Sequence, residues 1–198
     1  MQSLLVRFCK YDNKMENDVK ILQSGTSEEK IKILENLTST NDPKTIKKII
    51  ECLDDSDVRV RGEAFSSLVL NKNKIANLLI ESLRDSRKNI RGFAGLVLAN
   101  RKDANAIPEL INLVKDERSM VRACALGSLG HLKAREAQSV IHKCVFDSNI
   151  EVRKSALQAL IHLGDKISDE EFLEISKDLD SEIERLAIKL KKSGPEGI

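Results

Sequence analysis

The feature that most constrains this chain is that it repeats. The segment from Asp55 through Val60 and Arg61 to Ala64 lines up with Asp85, Ile90, Arg91 and Ala94, then with Asp116, Val121, Arg122 and Ala125, and again with Asp147, Val152, Arg153 and Ala156. The Asp positions are 30, 31 and 31 residues apart. A β-branched residue stands five places after each Asp, an Arg six, an Ala nine and a Leu thirteen (Leu68, Leu98, Leu129, Leu160). A period of this length means one small unit, unable to bury its own apolar face, stacked on copies of itself.

Within a unit, Leu110, Ile111, Leu113 and Val114 precede the Asp at helical spacing, and Val121, Ala125 and Leu129 follow it at the same spacing. Each repeat therefore reads as helix A, turn, helix B. Ser56, Ser86 and Ser148 follow the repeat Asp and are expected to cap helix B. Pro108 suits the first turn of an A helix. Loops are expected at 71–73, 101–103 and 164–165, and no stretch alternates at period two, so no strand is expected. Weaker copies are traceable through Val19–Leu22 and Ile31–Leu34 upstream, and through Asp178, Ile183 and Ala187 downstream, where Glu184 replaces the Arg. The expected architecture is all-α, a right-handed α-α superhelix of about six helix pairs. It forms one domain over 1–198, with a degenerate cap and first repeat at 1–42, regular repeats at 43–165, a capping repeat at 166–192 and a tail at 193–198. The stretch Met1–Lys10 reads as a capping helix, and Lys189, Lys191 and Lys192 supply the polar outer face of the last copy.

Composition supports this and excludes several functions. Apolar residues make up 41% of the chain but aromatics only 3%, so Leu, Ile, Val and Ala must fill the core, as close helix packing favours. A net charge of +2 gives no overall field that attracts nucleic acid or a membrane. Cys9, Cys52, Cys124 and Cys144 show no metal-ligand spacing and read as reduced thiols, which places the chain in the cytoplasm. No apolar run reaches the roughly twenty residues that cross a bilayer, and no signal-peptide pattern precedes the repeats.

The pattern Asp-x4-Val/Ile-Arg-x2-Ala-x3-Leu, preceded by Ala106-Ile-Pro-Glu-Leu-Ile111, resembles the short HEAT-like repeats named for phycobilin lyases. The resemblance covers roughly 43–165. It implies the helical solenoid, but such repeats serve scaffolds, adaptors, nucleic-acid binders and a few enzymes, including bilin-lyase subunits. The iron-binding hydroxylases with HEAT-like repeats carry His-Glu pairs, and this chain has none. The HEAT-like DNA glycosylases use an aromatic surface, whereas this chain has no Trp and only Tyr11. No catalytic residue and no cofactor is assigned.

Four sets of residues remain. The Asp55/Arg61, Asp85/Arg91, Asp116/Arg122 and Asp147/Arg153 series recurs in step with the period. It is expected to be structural, an Arg fork on a turn carboxylate within or between units. His131 and His162 share a slot on stacked helices about 10 Å apart, too far to share a metal, and His142 and Cys144 do not face one side of a helix, so no metal is expected. The variable helix-B slots four, eight and eleven places after the Asp read Asn89, Phe93, Leu96 and then Met120, Cys124, Gly127. This uncharged centre lies between polar units (Arg59, Glu63, Ser66; Glu151, Ser155, Gln158) and points to a protein or peptide partner on the concave face. The same slots read equally well as core between repeats. The alternatives are nucleic acid on the basic residues Arg87, Lys88, Arg101 and Lys102, or, as the resemblance implies, a bilin-lyase-like enzyme subunit.

Overall fold

In the computed structural model, residues 15–192 are described, and among them every regular element is helical. Helix α1 covers 15–24. It is followed by α2 (Ser27–Asn36), α3 (Pro43–Glu51), α4 (Val58–Leu70), α5 (Ala76–Ser82) and α6 (Lys88–Asn100). Then come α7 (Ile107–Leu113), α8 (Ser119–His131), α9 (Gln138–Cys144), α10 (Ile150–Leu163), α11 (Asp169–Ile175) and α12 (Ser181–Lys192). From α3 on, A helices of seven to nine residues alternate with B helices of twelve to fourteen. The segment Met1–Lys10 lies outside the described residues. The chain forms two compact units that meet within α6, one up to Ile90 and one from Arg91.

The repeat slots carry the core in both units. In the first, Val60, Ala64 and Leu68 on α4 are fully buried, beside Leu34, Ile46, Leu53 and Leu79. In the second, the equivalent Val121, Ala125 and Leu129 on α8 and Val152, Ala156 and Leu160 on α10 are at most 1% exposed. A residue type that returns every 31 places returns because the same gap must be filled in each repeat.

The turns are set by the repeat Asp. Its Oδ1 accepts the amide two residues on: Asp57 N to Asp55 (2.9 Å), Arg87 N to Asp85 (2.8 Å), Arg118 N to Asp116 (2.9 Å) and Asn149 N to Asp147 (2.9 Å). This side-chain turn carries the chain from helix A into helix B. The expected caps Ser56 and Ser148 are corrected here. The cap of α4 is Asp57 and that of α10 is Asn149, each accepting amides of the first helical turn. The Asp turn places the serine one residue too early to reach them.

In the second unit the B helices also end alike, seventeen residues after the Asp. Lys102 (φ 58°), Lys133 (φ 52°) and Gly164 (φ 68°) are left-handed. The next amide returns to the carbonyl of the buried Leu: Asp103 to Leu98, Ala134 to Leu129 and Asp165 to Leu160. This is the Schellman arrangement, which satisfies otherwise orphaned carbonyls at the helix end.

Helices α8 and α10 approach closely at Gly130, where an added Cβ would lie 2.8 Å from Ala159 Cα and 3.0 Å from its Cβ. Backbone cannot swing aside as a side chain can. Gly130→Ala is therefore expected to cost about 2 kcal/mol through forced separation of the two helices, outweighing the gain in helix propensity. Urea unfolding checks this, and a stabilised variant would show that the contact yields.

Candidate functional site

The charged series forms a ladder, and the ladder runs between repeats. Arg91 donates from Nε to Asp116 Oδ2 (2.8 Å) and from Nη2 to Oδ1 (3.0 Å). Arg122 grips Asp147 in the same way, Nε at 2.8 Å and Nη2 at 2.7 Å. Arg153 holds Asp178 Oδ2 with Nε at 3.0 Å and Nη2 at 2.6 Å. Each pair spans 25 residues, from one helix B to the next turn. The third guanidinium nitrogen closes the Arg's own turn, as Arg122 Nη1 donates to Asp116 O and Arg153 Nη1 to Asp147 O, both at 2.9 Å. Burial alone would raise the carboxyl pKa of Asp116 and Asp147, but the Arg hydrogen bonds outweigh it and hold both below the ordinary range.

In the first unit the ladder departs from this pattern in two places. Lys30 takes the Arg position and reaches Asp55 25 residues on, with Nζ at 2.7 Å from Oδ2. Arg61 keeps the bond to its own turn, Nη1 to Asp55 O at 2.8 Å. The step to the next Asp is 30 residues instead of 31, so Asp85 stands 24 places after Arg61 and is instead gripped by Arg87, with Nε and Nη2 each at 2.9 Å.

The helix-B slots are neither free surface nor closed core. Phe93 and Leu96 on α6 and Met120, Cys124 and Gly127 on α8 are all half-buried, whereas the adjoining core positions Ala94, Val97, Leu126 and Leu129 are sealed. They belong together. A Cβ on Gly92 would lie 2.9 Å from Met120 Sδ and 3.3 Å from Cys124 Sγ, and one on Gly127 would lie 4.0 Å from Leu96 Cδ2. Bare glycine backbone thus floors an apolar strip whose two sulfur atoms are 3.6 Å apart. Burial pushes the Cys124 thiol up to about 11, so it is no nucleophile near neutral pH. Asn89, on the same helix but in the first unit, donates its side-chain amide to Asp54 Oδ1 (2.8 Å). Further along the chain, Lys154 Nζ on α10 lies 3.8 Å from Glu151, 3.1 Å from Asp180 just before α12 and 3.2 Å from Glu182 on α12. Arg185 Nη2 also lies 3.7 Å from Glu182, so two cations meet these three carboxylates.

The basic residues are less available than their spacing suggests. Arg87 is held in the fork on Asp85, Arg101 is half-buried, Lys88 opens α6 and Lys102 stands two residues beyond its end. No group of three or more His, Cys, Asp or Glu suited to a metal occurs among the described residues. The sequence singled out no role for His142, yet both its ring nitrogens face carboxylates, Nδ1 at 2.7 Å from Glu171 Oε1 and Nε2 at 3.0 Å from Asp165 Oδ2.

Comparison with known proteins bears on the fold. The family model described as HEAT repeats matches residues 75–161. Residues 75–161 carry HEAT repeats. No curated protein matches it. Among solved structures, an engineered protein shares 18% identity at a TM-score of 0.58, covering 92% of this chain and 99% of its own. A designed armadillo repeat protein in complex with the peptide (KR)4 shares 17% identity at 0.55, covering 89% and 98%. The complex of CpcE and CpcF of phycocyanin lyase from Nostoc sp. PCC7120 shares 21% identity at 0.54, covering 88% and 74%. At these identities the likeness shows the HEAT/armadillo-like fold and nothing of activity.

The HEAT repeats also explain why sequence reasoning missed His142. Its partners lie 23 and 29 residues away, off the period, so aligning the repeats cannot reveal them. No helix among the described residues is long and apolar enough to cross a membrane.

Proposed function

We propose that this HEAT-repeat chain is a non-catalytic binding scaffold that takes a protein or peptide partner on the B-helix strip of α6 and α8. The observation that carries the reading is that Phe93, Leu96, Met120 and Cys124 stay half-exposed although the repeat core beside them is complete. Apolar side chains that the core does not need, set on rigid helices and floored by Gly92 and Gly127, are the anchor type that concentrates binding energy. The carboxylates of Glu151, Asp180 and Glu182 are met by Lys154 and Arg185, so the apolar anchor and not net charge carries the binding. A designed armadillo repeat protein of the same fold has been solved in complex with a peptide, which is in keeping with a peptide partner. Nucleic acid on the basic loops is less well supported, since Arg87 is already paired with Asp85.

The test is selection from a random peptide library, followed by affinity measurement on the enriched peptides. Phe93→Asp is expected to weaken binding at least about tenfold while leaving helical content unchanged, and Arg87→Glu is expected to have no effect. Affinity should depend only weakly on salt. Retention of full affinity by Phe93→Asp would sink the strip as the binding site. Enrichment of nucleic acid, lost in Lys88→Glu and steeply salt-dependent, would favour the basic-loop reading.

A further inference from the structure

The His142 cluster joins two turns that are already locked. Asp165 follows left-handed Gly164, and its Oδ1 accepts the Lys166 amide (2.8 Å), leaving Oδ2 for His142 Nε2. Glu171 closes the capping box of α11, with Oε2 accepting the Ser168 amide (2.7 Å) and its own amide donating to Ser168 Oγ (3.1 Å). Its Oε1 is left for His142 Nδ1. Each carboxylate thus fixes its local backbone with one oxygen and offers the other to a single imidazole on α9.

A neutral imidazole has one N–H and one lone pair. Whichever tautomer it adopts, one carboxylate would face a lone pair at hydrogen-bond distance, which is repulsive. Only the imidazolium donates to both. We propose that His142 is a proton-operated latch that seats the helix pair α11–α12 on the repeat containing α9.

The electrostatic surroundings agree. Asp165 faces the ring from the turn after α10 and Glu171 from the first turn of α11, where Glu170 adds negative charge and Asp169 is paired with Lys191 of α12 at 3.1 Å. On the side of α9, Arg135, Glu136 and Lys143 border the open edge beside His142. Burial works against the charged ring, but the hydrogen bonds it donates to Glu171 and Asp165 outweigh it and raise the His142 pKa above its ordinary 6.5. The three side chains are only 17–23% exposed, so solvent screens the pairs incompletely. The sign follows from the direction of the shift. The stabilisation from His142 is complete below 6.5, the value in the unfolded chain, and is lost as pH rises through the higher folded value. Glu171 is held below its ordinary range, first against burial and then by the Ser168 amide and His142, so on the acid side the latch stays charged until pH falls through that lowered value.

The test combines a histidine side-chain NMR titration with hydrogen exchange of the α11–α12 amides at pH 6.0 and 8.5, each rate referenced to unstructured peptide at the same pH. His142 is expected to titrate above 6.5 with both ring nitrogens protonated at the lower pH. Protection of α11 and α12 should fall at least about threefold between the two conditions in the wild type. His142→Gln and Glu171→Gln should show no such fall, and the second is a clean control because Gln also completes a capping box. A wild-type His142 that titrates at or below 6.5, or protection equal at both pH values, would overturn the latch. The wild-type measurements decide this even if a variant folds poorly.

Discussion

Arg122→Ala is expected to lower the stability of the unit from Arg91 onward by about 3 kcal/mol, the low end for breaking a buried ion pair. Arg122 and Asp147 are each only 14% exposed at the side chain, and the substitution removes both arms of the fork together with the bond to the Asp116 carbonyl. Asp147 is left with the Asn149 amide as compensation for a poorly solvated charge. Chemical unfolding at pH 7 measures the loss. Repeating it in acid adds a signature. Because Asp116 and Asp147 are held below 3.8, their contribution is present above that value and disappears as pH falls through the lowered folded values. The difference between variant and wild type should therefore shrink below about pH 4. Arg122→Lys should recover only part of the loss, since an ammonium makes one such bond where the guanidinium makes two, as Lys30 does on Asp55. A loss below about 0.5 kcal/mol would mean that the ladder behaves as screened surface charge.

Leu129→Ala is expected to cost about 3 kcal/mol, the transfer term for the removed carbons plus a cavity term. Leu129 is fully buried on α8, and its carbonyl accepts the Ala134 amide that ends the helix, so the surrounding backbone cannot collapse freely into the space. Phe93→Ala is the informative comparison. Although Phe93 is larger, it is half-exposed, and its truncation should cost less stability than that of Leu129 while removing peptide affinity. Urea unfolding and peptide titration on the same two variants separate the core from the binding strip. A stability loss for Phe93→Ala equal to that for Leu129→Ala would return Phe93 to the core.

What the sequence reveals follows from what repeats. Slots five, nine and thirteen were legible as core because packing between copies imposes the same demand on each. The Asp–Arg series was legible as structural for the same reason. Its connectivity was not, since a pair within a unit and a pair between units have the same period, and only coordinates show the 25-residue link. The pattern points to Ser56 and Ser148 as caps where Asp57 and Asn149 hold the helices, because hydrophobic spacing locates a helix start only to within a few residues. Whether Phe93 and Met120 face a neighbour or solvent depends on the angle between stacked helices, which composition does not encode. His142 was illegible as a cluster because Asp165 and Glu171 do not recur. The period also treats every 31-residue step alike, so it carries no sign of a division within α6.

The ladder also bears on how such a chain can change length. Each Arg from Arg91 to Arg153 is tied to its own turn or to the Asp 25 residues on, and successive Asp positions from Asp85 to Asp178 are 31 residues apart. A tandem duplication of residues 117–147 would therefore keep both the 25-residue step from Arg to Asp and the six-residue step from Asp to the next Arg, whereas one of 118–147 would shorten the second to five and pull the Arg off its own turn. Repeat number is then a quantity that genetic recombination can alter in whole units, and the Asp–Arg pairing acts as its reading frame.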